Sequence, residues 1–211
     1  MNNPWLKIPL ADYENHMALP DIGQAAMLSA ELERSVVEYS PGSVAVIGCA
    51  GGNGFDQLAR LGVKRIVGID INPTYVEETR LRYARRIPGL ELYVADIQQA
   101  INGCRRVDLV FAALVLEYVD VRAALASFRS LCAKNGALVV ILQAASSSLE
   151  TVSRSPFESL QLLAPVMRLH DPTDFSDQAR TCGFTFKFSR RITLPSSKSF
   201  DVVTFDTDRE A

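Results

Sequence analysis

Histidine is nearly absent from this chain, and its cysteines are few and scattered. Two histidines, His16 and His170, and four cysteines, Cys49, Cys104, Cys132 and Cys182, make up the whole set. No C-x-x-C pair occurs. Neither histidine lies within ligand spacing of a cysteine or of the other histidine, so no metal site is expected. The same scatter argues for reduced, buried thiols in a cytoplasmic protein rather than a disulfide framework. Neither sign of charge dominates: 22 lysines and arginines stand against 24 acids, a net charge of −2. Such a chain has no long-range field to draw in nucleic acid, and no nucleic-acid partner is expected. Arg80, Arg82, Arg85 and Arg86 look like a basic patch, but helical spacing spreads them over a solvated face beside Glu77 and Glu78. Long apolar runs are missing too. Nothing reaches the about 18 residues that would suggest a membrane span. The opening MNNPWLKIPLADYENH lacks the charged-then-apolar layout of a secretory signal. No internal repeat or low-complexity tract is seen. At 211 residues, 48% hydrophobic and 22% charged, the chain reads as one α/β domain, 1–211, able to fill a core.

What is present is concentrated in Val44–Gly54, VAVIGCAGGNG. This reads as a buried strand, then a tight turn of small residues, then a helix from about Phe55. Gly48, Gly51, Gly52, Gly54 and Ala50 leave the turn almost bare, so its backbone can touch a ligand, and the helix that follows presents free N–H groups. Asp70 lies 22 residues past Gly48, at the end of a second apolar strand, Arg65–Ile69. An acid at that offset in a βαβ unit takes two ribose hydroxyls as donors, which points to an adenosine-containing ligand. The dinucleotide fingerprint wants glycine at its first, third and sixth positions. Here they are Gly48, Ala50 and Asn53. Asn at the sixth would hold the helix away from the strand, so the match to a pyrophosphate site is poor.

Ile47, Gly48, Cys49, Ala50, Gly51 and Gly52 instead resemble the first motif of the class I S-adenosylmethionine (SAM) methyltransferases, hydrophobic-hydrophobic-acid-hydrophobic-Gly-Cys-Gly-x-Gly. The chain departs from that pattern at Val46, where the family often has an acid near the amino end of its ligand. The resemblance implies SAM as cofactor and S-adenosylhomocysteine (SAH) as product. It also implies an acid near the adenine amino group after the third strand, a place held by Asp96. The phrase WLKIPLADYENHM resembles, more loosely, the N-terminal region of bacterial SAM methyltransferases acting on small molecules.

Strands and helices alternate along the chain. Asn72 and Pro73 start a helix through about Arg86, ended by Pro88–Gly89. Leu90–Ala95 reads as a strand, Val107–Ala113 as one buried on both faces, and Asp120 as the cap of a helix with Val121, Ala124, Phe128 and Leu131 inward. Asn135–Gly136 turns the chain into another buried strand, Ala137–Leu142. This order predicts a doubly wound α/β fold, Rossmann-like, with a mostly parallel sheet. Phe184, Phe186 and Phe188 alternate with polar residues and Val202–Phe205 is β-rich, so a pair joined by Pro195–Ser199 gives an antiparallel edge. The family has a reversed last strand there, which brings the expectation to a seven-stranded sheet with an antiparallel C-terminal edge strand.

Two segments fall outside the cofactor-binding core, 41–145. One is the N-terminal arm, 1–40, with Trp5, Tyr13, Glu14, His16 and Met17, then a helix with Ala25, Leu28, Leu32, Val36 and Tyr39 on one face. The other is the insertion 146–172, part of a connection of about 29 residues from Ala144, too long for an ordinary loop. Both should form a lid over the carboxyl ends of the strands; residues 173–211 then supply the last helix and strands. Gly48, Cys49, Ala50, Gly52, Asp70, Ile71, Asp96, Ile97, Ala112, Leu114 and Tyr13 are the expected cofactor contacts, with Ile71 and Ile97 sandwiching an adenine. Glu117 and Tyr118 stand where related sequences show an acid and a histidine, and Tyr118 is expected to be a wall contact. His16, in the lid, is the candidate general base, ahead of His170.

The function so implied is methyl transfer from SAM to an oxygen or nitrogen of a small-molecule acceptor. FAALVLEYV stands where amino-methylating nucleic-acid enzymes have an Asn/Asp-Pro-Pro-aromatic signature. A SAM- or SAH-binding protein without turnover and an NAD-dependent oxidoreductase stay open as alternatives. Oligomeric state is not readable; a homodimer is one possibility.

Overall fold

Apolar at nearly every position, the runs around Val44 and Leu109 are buried on both faces and become adjacent parallel strands. The computed structural model describes residues 3–207, so the two ends of the expected 1–211 domain lie outside the described residues. Helices α1 (Leu10–Ala18) and α2 (Gln24–Tyr39) come first. Then follow β1 (Ser43–Ile47), α3 (Phe55–Arg60), β2 (Arg65–Asp70), α4 (Pro73–Tyr83), β3 (Leu90–Val94) and β4 (Val107–Ala113). The chain ends with α5 (Val121–Leu131), β5 (Cys132–Gln143), α6 (Pro172–Thr181), β6 (Phe184–Thr193) and β7 (Ser199–Thr207). A short 3-10 turn, Glu158–Leu163, lies in the insertion. No helix among the described residues is long and apolar enough to cross a membrane.

The strands form one seven-stranded sheet in the order β3-β2-β1-β4-β5-β7-β6. The first five are mutually parallel. The C-terminal hairpin supplies the antiparallel edge: β7 is reversed against both β5 and β6, so it sits one place in from the rim. Period-two alternation divides the core. Ala45, Ile47, Val110 and Ala112 face α5 and α6, while Val44, Val46, Leu109 and Phe111 face α2 and α3. On α2, Met27, Leu28, Leu32 and Val36 are buried at helical spacing. Each contributes ~1.5–3 kcal/mol by leaving water.

Two boundaries differ from the sequence reading. Helix α4 stops at Tyr83 rather than near Arg86, because the N–H groups of Arg86 and Ile87 both turn back to the Tyr83 carbonyl at 2.9 Å. Strand β5 begins at Cys132, ahead of the expected Asn135–Gly136 turn; Asn135 takes φ 61° inside it and the ladder to β4 shifts register there. The chain leaves β1 toward β2 on one side while β4 lies on the other. The carboxyl ends of β1 and β4 therefore part, and a crevice opens between them.

Candidate active site

The floor of that crevice is built by backbone. At the end of β1 the N–H groups of Gly48 and Cys49 donate to the Ile69 carbonyl at 2.8 and 3.1 Å. Gly48 has φ 65°, and a Cβ there would lie 2.6 Å from Val115 Cγ2. Only glycine meets both conditions. Ala50 is also left-handed, with φ 44°. Its N–H donates to Asp70 Oδ2 at 2.9 Å and its carbonyl accepts from Thr79 Oγ1 at 2.6 Å. Asp70 Oδ1 accepts the Asn72 N–H at 2.9 Å. Both carboxylate oxygens are thus fixed by backbone donors and keep further lone pairs. Burial raises the Asp70 pKa, opposed by those same N–H groups. Asn72, the expected helix cap, accepts from the Thr74 N–H at 2.9 Å and donates to the Trp5 carbonyl at 2.9 Å.

Around this floor lies a cleft of about 700 Å³. It brings together Tyr13, Gly48, Ala50, Asp70, Ile71, Asp96, Ile97 and Leu114 of the expected contacts. Asp96 Oδ1 accepts both the backbone N–H and the side-chain amide of Gln98, at 3.0 and 3.1 Å. It therefore closes its own turn while facing the cleft. Leu114 has φ 56°, a strained conformation for a bulky residue, held by its N–H bond to the Ile141 carbonyl at 2.9 Å.

Three expected contacts do not line the cleft. Cys49 is buried behind the turn, where its thiol packs under Gly68 and burial pushes its pKa well up. Gly52 faces Tyr83: a Cβ on it would lie 2.6 Å from Tyr83 Cε2, so its role is close packing of the turn on α4. Ala112 points to the opposite face of the sheet, and its neighbour Ala113 lines the cleft instead. Trp5, Tyr75, Gln98, Val115 and Val119 also line it. Tyr75 and Val115 belong to apolar patterns that gave no hint of a site.

The roof is made by side chains. Trp5 meets Tyr13 and Tyr118 edge-on, with ring centroids 5.7 and 5.1 Å apart. Tyr75 Oη donates to the Ile8 carbonyl at 2.8 Å, and Arg82 pairs with Glu14. The insertion closes on the arm through Ser159 Oγ to Asp12 Oδ2 at 2.6 Å and His16 Nδ1 to Ser155 Oγ at 2.8 Å. Ile8, Val152, Leu160 and Leu163 are buried between the two segments.

Beneath this roof a second cavity of about 480 Å³ adjoins the cleft and shares Trp5, Tyr13, Leu114 and Tyr118 with it. His16 lines this second cavity rather than the cleft. Burial, then the nearby Lys198 charge, lower its pKa. His170 lies elsewhere, bonded by Nε2 to the Leu116 carbonyl at 2.9 Å. Tyr118 is a wall of both spaces, as expected. Glu117 is buried below it. Its Oε1 accepts the Gln143 N–H at 2.8 Å, its Oε2 has no partner among the described residues, and burial raises its pKa to about 7.

Residues 45–140, the span from β1 to β5 that builds the floor, match a family model described as a methyltransferase domain. The match supports a class I SAM-dependent methyltransferase domain over that span. It likewise supports an enzyme that transfers methyl groups. No curated protein matches the chain. Among solved structures, the methyltransferase domain with its arm and insertion is similar to the N-methyltransferase NodS from Bradyrhizobium japonicum WM9, in complex with SAH. That match has TM-score 0.71 and 19% identity over 99% of this chain and 100% of NodS. The magnesium protoporphyrin IX methyltransferase ChlM from Synechocystis PCC 6803, with bound SAH, is similar at TM-score 0.70 and 16% identity, covering 94% of each chain. The cyclase SpnF matches at TM-score 0.65 and 13% identity, over 84% of this chain and 80% of its own. At these identities the likeness is one of fold, and a cyclase within the group illustrates that fold alone does not set the reaction.

Proposed function

We propose that this methyltransferase moves a methyl group from SAM to an oxygen or nitrogen of a small-molecule acceptor seated in the second cavity, with His16 as general base. The observation that carries this reading is the second pocket itself, lined by arm and insertion and sharing Tyr13 and Leu114 with the cleft. A macromolecular acceptor would have to displace the whole roof.

The residues of the cleft fit the cofactor. The bare cradle at Gly48, the anchored carboxylate of Asp70, and Ile71 and Ile97 beside Asp96 suit an adenosine, with Ala113 and Leu114 beside its methionine part. When bound, SAM supplies a methyl already activated on a sulfonium. The chain then has to orient the acceptor and exclude water; orientation alone can lower the barrier by ~7–11 kcal/mol. The aromatic wall of Trp5, Tyr13 and Tyr118 does both. His16 keeps a neutral ring in this buried place. In the tautomer that gives Nδ1–H to Ser155, Nε2 holds the lone pair that takes the acceptor's proton.

Calorimetric titration with SAM, SAH and NADH tests the cofactor. Micromolar binding of the two sulfur ligands and none of NADH is expected. A screen of small hydroxyl and amino compounds with methyl-labelled SAM then tests the acceptor class. Transfer only to macromolecules would overturn the small-molecule assignment, and SAH binding without any transfer would leave a binding protein.

A further inference from the structure

The acceptor cavity is apolar over most of its wall, with Met17, Val152, Leu160, Leu163 and Met167 beside the aromatic residues already described. One charged group interrupts it. Lys198, in the turn between β6 and β7, is only 7% exposed, yet it lines this cavity as well as a neighbouring pocket that holds Glu150 and Arg191. Its Nζ donates to a single acceptor, the Thr151 carbonyl, at 2.8 Å. Three donors sit on that nitrogen. Among the described residues no carboxylate lies within 4.0 Å of it; Glu150, whose charge reaches it from farther away, pairs with exposed Arg154. A buried ammonium without a counter-charge in contact is disfavoured and calls for a partner. Its pKa falls to about 8 under that burial. Lys198 lies on a part of the wall that the cofactor cleft does not share.

We infer that the acceptor is an apolar or aromatic molecule bearing a carboxylate, and that this carboxylate is received by Lys198 while the nucleophilic end faces the cleft between Tyr13 and Leu114. A carboxylate fits better than a phosphate: one ammonium offers a single positive charge, and no arginine lines the cavity. Such an anion would offset the Lys198 charge that otherwise opposes proton uptake by His16. The inference rests on the second cavity being the acceptor site.

The test uses SAH-loaded protein and a panel of small aromatic and alkyl carboxylic acids, each paired with its primary amide. Saturation-transfer NMR and competition titration report binding. The acids are expected to bind at least tenfold more tightly than their amides. Lys198→Gln, which keeps a hydrogen-bond donor but no charge, and Lys198→Met, which keeps only length, should both erase that difference while SAH affinity stays unchanged. A purely structural lysine would lower the melting temperature in both variants and leave the acid-over-amide preference intact, which overturns the inference. Equal binding of acids and amides, or binding of neither, overturns it as well. Failure of SAH to bind would strike instead at the cofactor assignment, so the two readings fail separately.

Discussion

The floor and the roof of the cleft are built by different means. In the floor, backbone meets backbone or a buried carboxylate: Gly48 to Ile69, Ala50 to Asp70, Leu114 to Ile141. The partners belong to adjacent parallel strands and to the turns at their ends, so the sheet itself sets the geometry. In the roof, side chains span most of the sequence. His16 reaches Ser155 and Ser159 reaches Asp12, 139 and 147 residues apart. A floor made this way resists motion, because its strained residues are held by the ladder around them. A roof tied by a few side-chain bonds and one small apolar cluster can open, and a buried site needs it to open for ligand exchange.

Removing the roof should separate the two most sharply. A chain starting after Leu19 is expected to lose more turnover than the roughly 10²–10⁴-fold that a missing general base costs, since water exclusion and acceptor orientation go with it. SAH affinity, measured by calorimetry, should fall much less. Full turnover in the truncated protein would mean the roof is ornamental. His16→Gln is a narrower cut, with turnover expected down by about 10²–10⁴-fold and SAH affinity preserved. Its pKa lies below 6.5, so the wild-type turnover should lose its acidic limb only below that pH. Stability shares that sign: a folded-state pKa depressed below the unfolded value costs stability as pH falls from 6.5 toward the folded value. A His16→Gln profile with the same acidic limb would assign the limb to another group.

In the floor, Asp70→Ala should weaken SAH binding by about 1.5–3 kcal/mol, the size of hydrogen bonds to a charged acceptor. Asp70→Asn, which retains one oxygen for the Ala50 or Asn72 N–H, serves as the folding control. Unchanged affinity in a folded variant removes Asp70 from the ligand. Glu117 lies where floor and roof meet, its carbonyl accepting the Arg168 N–H at 2.8 Å. Its pKa is raised from 4.5 to about 7, so the folded state loses stability as pH rises through that window. Glu117→Gln should flatten this decline, gaining up to roughly 3 kcal/mol over wild type above pH 7 in urea unfolding. Parallel pH profiles would contradict it. Smallest of all, Glu14→Gln breaks a half-exposed pair with Arg82 and should change stability by less than about 1 kcal/mol. A larger loss would show that this pair, rather than the aromatic contacts, holds the roof.

Most of the floor was legible because it is local. The glycine turn, Asp70 and Asp96 follow strand ends at spacings a βαβ unit imposes, and β4 has the boundaries its apolar run suggested. The misses fall where the local pattern gives no direction. Val107–Ala113 is apolar at nearly every position, so no polar alternation told which of Ala112 and Ala113 faces the ligand side. Cys49 and Gly52 sit in a turn whose small residues look alike in sequence but face opposite ways. Lys198 gave no signal, since a lysine in a turn is ordinarily solvated.

The sequence by itself determined the alternation of strands and helices, the cradle of the floor and the class of chemistry that cradle serves. These depend on residues close along the chain and on periodicities that backbone geometry enforces. Only the tertiary structure decided that the arm and the insertion meet, that His16 turns into a second cavity, and that Lys198 is buried with no carboxylate in contact among the described residues. Those facts rest on contacts between side chains more than a hundred residues apart or on burial by distant segments, and no local pattern encodes either.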